Sequence, residues 1–132
     1  RKEAETLDVS HRLHLLSGVS NNELNVIYKN AELFVYPSRY EGFGIPIVEA
    51  FKCDTPVITS NVTSMPEVAA DAALLVDPFS VESIADAMEK VLDEEVRNEL
   101  IEKGRRRRED FSWDKAAEKW WKVIETQGRK NI

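Results

Sequence analysis

Cysteine and histidine are scarce in this sequence of 132 residues. Cys53 is the single cysteine, which excludes an internal disulfide and a cysteine-rich metal site and is typical of a reducing, cytoplasmic compartment. His11 and His14 are the only histidines, so a structural zinc site would need carboxylate ligands, and we expect no bound metal. No apolar run approaches the roughly 20 residues of a membrane-spanning helix, and no signal-peptide pattern opens the chain.

Basic residues are outnumbered, with 18 Lys and Arg against 24 Asp and Glu, for a net charge of −6. This excess of acid argues against nucleic acid as the main partner. The apolar share of 42% is ordinary for a folded domain, and the length suits one domain or part of one. Because the first residue is Arg1, we expect a segment of a larger protein.

Short apolar runs alternate with helical stretches over residues 1–81. Each apolar run is bounded by turn residues, which predicts four strands, at residues 13–16, 33–36, 56–59 and 73–76. Ser20 and Glu23 match a capping box at the start of a helix to about Asn30. The order predicts an α/β fold, a Rossmann-like parallel sheet with helices on both faces. Since such a domain usually has about five or six strands, we interpret 1–132 as one N-terminally truncated, partial domain.

The pattern from Val81 onward is helical throughout. Ser80 is suited to cap the first of three helices, the second is predicted to end near Gly104, and the third begins near Ser112. The third has a wide apolar face containing three tryptophans, which predicts a substantial partner surface. The run Arg105–Arg108 is interpreted as a solvated helix face, with attraction to anionic lipid as the alternative.

The segment EGFGIPIVE, residues 41–49, follows a predicted buried strand and opens a helix. Ligands bind open α/β sheets at this kind of position. Gly42 and Gly44 let the backbone bend around Phe43, and Pro46 suits the first turn of a helix. The amides of Phe43, Gly44 and Ile45 would then face outward from a positively polarised helix end, which favours phosphate.

Two carboxylates flank these amides, and neither could neutralise a phosphate. A carboxylate instead accepts paired hydrogen bonds from neighbouring hydroxyl groups, as on a sugar or a ribose. Glu41 and Glu49 with the intervening amides therefore favour a nucleotide-sugar site. A plain loop followed by a solvent-facing glutamate in a first helical turn is the alternative that residue types leave open.

The motifs, taken in order, resemble the C-terminal half of a family 4 (group 1) retaining glycosyltransferase with the GT-B fold. EGFGIPIVE matches that family's E-x(7)-E motif. Around it stand LSGVSNNEL, VIYKNAELFVYPS, TPVITSN, MPEV, DAALLVDP and FSW, and the resemblance covers roughly residues 11–125.

The resemblance implies a role for each part of the segment. Glu41 would act at the donor sugar hydroxyls as the catalytic-site acid, and Glu49 would hold the ribose. The segment from Gly42 to Ile45 would contact sugar and diphosphate, and Gly18-Val19 would lie against the base. It further implies a GDP- or UDP-linked hexose donor, a glycan or lipid-linked acceptor, no metal, and work at the inner face of the membrane.

Asp54 departs from the family, which usually has Gly there, so we expect a slightly strained left-handed turn. The acceptor-binding N-terminal domain and an early basic pair against the diphosphate would precede Arg1, so this piece alone is expected to be inactive. SNVTSMPEV and AALLVDP are slightly closer to mannosyltransferases. A non-catalytic nucleotide-binding or interaction module is the alternative function, and a sugar-nucleotide epimerase is a third.

Overall fold

The computed structural model describes residues 2–128. A 3-10 turn covers Ser10–Arg12. The helices and strands in chain order are α1 (Lys2–Thr6), α2 (Asn21–Asn30), β1 (Phe34–Tyr36), α3 (Ile45–Lys52), β2 (Val57–Ser60), α4 (Met65–Ala69), β3 (Ala73–Val76), α5 (Val81–Val91), α6 (Glu94–Arg108) and α7 (Trp113–Gly128). The α/β class and the all-helical C-terminal segment are confirmed.

The three strands form one parallel sheet with β2 in the centre. Val35 is aligned with Ile58, and Ile58 with Leu74. Strand β2 is fully buried along its length, as expected for a central strand covered on both faces. The carboxyl ends of all three strands therefore lie at the same edge of the sheet.

Alternate strand residues enter two separate cores, because successive side chains point to opposite faces. Val57 and Ala73 join the core formed with α2, α3 and α4, in which Phe51 is the largest fully buried side chain. Ile58 and Val76 join the core formed with α5 and α6. Helices on both faces are thus confirmed.

The strand predicted at residues 13–16 does not form, and this segment is irregular. Leu15 is 61% exposed and Leu16 is 65% exposed. A strand exists only where its backbone groups pair with a neighbour. Within the described part of the chain, β1 pairs only with β2, and no strand lies beside residues 13–16. Apolar residues alone were a misleading signal here.

The predicted helix caps are present. Ser20 and Glu23 form the complete capping box at α2, with each side chain bonded to the other residue's backbone amide. Ser80 accepts from the amide of Ser83 at the start of α5. These contacts satisfy amides that have no partner inside the helix, which explains why local sequence predicts these boundaries well.

Helix α6 continues one turn past Gly104, so the prediction that it ends there is wrong. A Cβ at Gly104 would lie 3.0 Å from Cδ1 of Phe51 in α3. The glycine therefore serves the close approach of two helices and not a helix end. Gly104 is buried at this contact.

The run Arg105–Arg108 is only partly solvated, because Arg105 and Arg106 are exposed whereas Arg107 and Arg108 are half-buried. Arg105 and Arg108 both bond the carboxylate of Asp54, at 3.0 Å and 2.8 Å. Arg107 donates to the backbone carbonyls of Glu67 and Val68 in the last turn of α4. Three of the four arginines are thus committed to contacts inside the chain, because α6 continues into the position where they meet α3 and α4.

Helix α7 leaves its apolar face uncovered by the rest of the described chain. Trp113 is 90% exposed, and Trp120 and Trp121 are also largely exposed. This agrees with the prediction that the face needs a partner surface. Over residues 2–128, we find no helix whose length and apolar character would let it cross a membrane.

Candidate functional site

The segment from residue 37 to residue 44 joins the carboxyl end of β1 to the first turn of α3. Gly44 occupies the N-cap position of α3 in a left-handed conformation, with φ of 98°. A Cβ there would lie 2.7 Å from Cε of Met65, which is fully buried at the start of α4. Glycine is therefore favoured by the backbone angle, and any Cβ would also have to displace the end of the Met65 side chain. Gly42 has open space around it and no positive φ, so only one of the two glycines makes a glycine-specific turn.

Glu41 is half-buried and held by two hydroxyl groups. The hydroxyl of Tyr36, the last residue of β1, donates to Oε1 of Glu41 at 2.5 Å, and Ser38 Oγ donates to the same oxygen at 3.2 Å. The hydrogen bond to Glu41, more than burial, raises the pKa of the Tyr36 phenol. Oε1 is thus occupied, whereas Oε2 accepts no hydrogen bond from residues 2–128.

The loop is also held from α4. Ser64 Oγ donates to the backbone carbonyl of Glu41 at 3.0 Å and to that of Phe43 at 3.2 Å. Phe43 packs edge-on against Phe111, with ring centroids 5.8 Å apart, and the guanidinium of Arg107 lies over the ring of Phe111. These contacts tie the loop to α4 and to the end of α6.

The amides predicted to face a phosphate make no hydrogen bond to any acceptor in residues 2–128. Phe43 and Ile45 are exposed, while Gly44 is buried. The carbonyl of Gly44 accepts from the amide of Ile47, as the N-cap of a helix does.

Glu49 lies in the second turn of α3 and is half-buried, while its helix neighbours Ile47, Val48 and Ala50 are in the core. Its charge lies near the phenol of Tyr28 in α2. Burial, followed by the charge of Glu49, raises the pKa of Tyr28 to about 12. Glu49 is therefore not a freely solvated residue.

Gly18 and Val19 line an open groove with residues of α2, including Asn22 and Val26. Gly18 is left-handed, with φ of 67°. No hydrogen bond within residues 2–128 joins this groove to the loop of Glu41. The structure brings Glu41 and the residues from Gly42 to Ile45 together, and the role of Gly18-Val19 stays a prediction.

Sequence reasoning missed the residues that support this loop, namely Tyr36, Ser64 and Met65. The sequence predicts Tyr36 only as a strand residue, and it predicts no role for Ser64 or Met65. A strand that ends in tyrosine just before a loop acid was the available signal for Tyr36. The contacts of Ser64 and Met65 join residues more than 20 positions apart, and local sequence does not reveal them. Among residues 2–128, no group of three or more His, Cys, Asp or Glu side chains is placed to hold a metal ion.

The sequence profile described as "Glycosyl transferases group 1" matches residues 1–107. The chain belongs to this family. The match covers all three strands and both flanking acids of the loop. The group 1 family that the motif order resembled is thereby confirmed.

Two curated relatives illustrate the similarity. The chain is 43% identical over 103 residues to O-antigen chain mannosyltransferase B of Escherichia coli, covering 77% of this chain and 27% of that protein. It is 38% identical over 117 residues to MMP alpha-(1->4)-mannosyltransferase of Mycolicibacterium hassiacum, covering 84% of this chain and 28% of that protein. The chain therefore spans little more than a quarter of the length of these relatives.

Two solved structures share the fold. Sucrose-phosphate synthase from Thermosynechococcus elongatus superposes with a TM-score of 0.86 at 27% identity, over 98% of this chain and 33% of that one. WaaG, a glycosyltransferase involved in lipopolysaccharide biosynthesis, superposes with a TM-score of 0.74 at 27% identity, over 92% of this chain and 33% of that one.

Proposed function

We propose that this chain forms the donor-binding part of a glycosyltransferase that moves a hexose from a nucleotide diphosphate sugar to an acceptor with retained anomeric configuration. The observation that carries the proposal is the loop from Glu41 to Ile45, in which backbone amides with no acceptor in residues 2–128 follow a carboxylate held by Tyr36 and Ser38. Membership of the group 1 glycosyltransferases supports the reaction class.

The diphosphate of the donor is assigned to the start of α3. The amides of Phe43, Gly44 and Ile45 lie at a helix end, where the partial positive charge stabilises an anion. In glycosyl transfer the leaving diphosphate gains negative charge, so donors arranged in advance contribute to the rate. We expect no resident metal at this site, and activity should persist in the presence of a chelator.

Glu41 is assigned to the hydroxyl groups of the donor sugar. Tyr36 and Ser38 occupy Oε1 and hold the carboxylate in one orientation. Oε2 then remains able to accept from a sugar hydroxyl, and such hydrogen bonds to a charged group are among the stronger ones. Gly42, between Glu41 and Phe43, lets the sugar approach the backbone closely because it carries no side chain.

Glu49 is assigned to the ribose and Gly18-Val19 to the base. Both assignments come from the family motif, and the half-buried position of Glu49 is compatible with accepting from two ribose hydroxyls. The two curated relatives described above are named mannosyltransferases, which favours GDP-mannose over UDP-glucose as the first donor to test.

The acceptor is assigned to another part of the whole protein. The chain covers little more than a quarter of the two curated relatives described above, and the family resemblance implies a separate acceptor-binding domain. One relative is named for the O-antigen chain, which favours a glycan or lipid-linked acceptor. A cytoplasmic protein at the inner face of the membrane would fit such an acceptor.

Calorimetric titration of the full-length protein tests donor binding. GDP and UDP should each be compared with inorganic phosphate, and we expect one nucleotide to bind at least about tenfold more tightly than phosphate. Glu49→Gln should weaken that nucleotide about tenfold or more, because hydrogen bonds to a charged group are lost. Glu82→Gln, which removes an exposed acid on α5, is the matched control and should bind as the wild type does.

The anomeric outcome is a separate measurement. Slow hydrolysis of GDP-mannose by the full-length protein, followed by NMR, should release α-mannose first if the configuration is retained. Binding no tighter than phosphate would overturn the proposal. Tight nucleotide binding with neither hydrolysis nor transfer to a lipid extract would instead favour a non-catalytic nucleotide-binding module.

A further inference from the structure

Ser64 uses its hydroxyl in an unexpected direction. It occupies the N-cap position of α4, where a serine ordinarily accepts from the first turn of its own helix, yet it makes no such bond. It donates across to the carbonyls of Glu41 and Phe43. Because a hydroxyl has one hydrogen, the two carbonyls share it or alternate in accepting it. The start of α4 therefore holds both carbonyls on one side of the loop.

The direction of these carbonyls determines the direction of two amides. In a trans peptide the N–H of the next residue points opposite to the C=O, and no cis peptide occurs in the described chain. The carbonyl of Glu41 shares its peptide with the amide of Gly42, and the carbonyl of Phe43 shares its peptide with that of Gly44. Both amides thus point away from α4, and neither donates to an acceptor within residues 2–128.

The residues on either side of Ser64 are fixed by their surroundings, Thr63 in a strained conformation and Met65 by burial. Thr63 has φ of 56°, a left-handed conformation that a β-branched residue rarely adopts. Met65 is fully buried and fills the space beside Gly44 that a Cβ would need. Strained backbone persists only where the surrounding structure enforces it, and it clusters at functional segments. The position of Ser64 is therefore set from both sides.

We propose that Ser64 is a positioning residue that aims the amides of Gly42 and Gly44 at the donor diphosphate. The inference rests on the proposed function and deepens it, since it names the group outside the motif that orients the phosphate-binding backbone. It also directs the amide of Gly42, which the family resemblance implies contacts the sugar or the diphosphate, to the diphosphate.

The test compares a nucleoside diphosphate with its nucleoside, using the full-length protein and whichever of GDP or UDP it binds. Ser64→Ala should raise the Kd of the nucleoside diphosphate about tenfold, because the loop loses the hydrogen bond that holds its carbonyls. The Kd of guanosine or uridine should stay within about twofold, because the base and ribose contacts do not depend on Ser64. Ser64→Thr retains the hydroxyl and should restore diphosphate binding.

Ser80→Ala is the matched control, because it removes a serine hydrogen bond at the N-cap of α5. It should lower the melting temperature and leave both affinities unchanged. If Ser64→Ala does not fold, Ser64→Cys serves the same comparison, since a thiol has similar size and donates weakly. Unchanged diphosphate binding, equal loss of diphosphate and nucleoside, or no rescue by threonine would overturn the inference. A wild type that binds neither nucleotide would instead overturn the proposed function.

Discussion

Asp54 Oδ1 lies 2.8 Å from Nη1 of Arg108, across 54 positions of sequence. Asp54 follows the end of α3 with φ of 58°, and its amide and that of Thr55 bond back to the carbonyls of Phe51 and Ala50. These two bonds form a Schellman motif, in which glycine usually takes the left-handed position. The predicted left-handed turn at Asp54 is therefore present, and its carboxylate ties the end of α3 to α6.

Replacing Asp54 with asparagine should destabilise the fold while preserving the turn. Asparagine tolerates the left-handed conformation, so the change isolates the charge that bonds Arg105 and Arg108. Because these groups are partly exposed, we expect a loss of about 1 kcal/mol in the free energy of unfolding, measured with urea at neutral pH. Asp71→Asn is the control, since Asp71 is more exposed and its contact with Lys103 is longer.

The same variant predicts a pH dependence. Hydrogen bonding from Arg105 and the charges of Arg105 and Arg108 lower the pKa of Asp54, against the opposing effect of burial. A carboxyl with a lowered pKa contributes stability above its ordinary value of about 4, and this is lost as pH falls through the folded-state value. The difference in free energy of unfolding between wild type and Asp54→Asn should therefore shrink below about pH 4. A constant difference down to the acid limit would contradict the ion pairs.

Gly44→Ala should destabilise the fold much more than Gly42→Ala. At Gly44 the alanine would take a φ of 98° and meet Met65, whereas at Gly42 it would meet nothing within 4 Å. We expect about 1–3 kcal/mol lost for Gly44→Ala and less than about 0.5 kcal/mol for Gly42→Ala, by urea unfolding. Equal effects would mean that the turn at the start of α3 does not depend on glycine.

Thr63→Gly should stabilise the protein. Glycine removes the left-handed strain of Thr63, which exceeds the entropy that glycine costs in the unfolded chain, for a net gain of about 1 kcal/mol. Thr63→Ala keeps a Cβ and should gain little, which makes it the control. The midpoint of urea unfolding measures both variants. An equal gain in stability in both would mean that the effect comes from the threonine side chain and not from the left-handed backbone.

Tyr28 should make stability fall at alkaline pH. Its pKa is raised to about 12 by burial and by the charge of Glu49, while an unfolded tyrosine titrates near 10. The contribution of this pKa shift to the free energy of unfolding is fully present below about pH 10 and is lost as pH rises through about 12. Tyr28→Phe should remove part of this decline between about pH 10 and pH 12, and Tyr40→Phe, at an exposed position, should not. An ordinary phenol titration at Tyr28, followed by ultraviolet absorbance, would contradict the prediction.

Local signals predicted the helix starts correctly and the α6 end wrongly. Ser20 with Glu23 and Ser80 with Ser83 are contacts between residues three apart, so the sequence beside a cap contains the information. Gly104 is also common at helix ends, but here it faces Phe51 in another helix. The same residue type serves both purposes, and only the packing distinguishes them.

In the candidate site, too, local sequence predicted some features, whereas others depend on contacts between distant residues. EGFGIPIVE predicted a bent loop and the start of α3, because glycine, proline and apolar spacing act within a few residues. The hydrogen bond from Tyr36 to Glu41 was within reach of sequence reasoning, whereas the contacts from Ser64 and Met65 required the fold. The contact of Gly18 and Val19 with the base of the nucleotide sugar stays a prediction.

The amino-acid sequence by itself determined the family, the alternation of strands and helices, the caps and the acids that flank the loop. These follow from short-range backbone preferences and from an ordered set of motifs. Tertiary structure alone decided that residues 13–16 form no strand, that three of the four arginines bond within the chain, and that Ser64 donates to two carbonyls of the loop. Each of these depends on which distant backbone or side chain arrives alongside, and hydrogen bonding or packing then selects one of the states that local sequence allows.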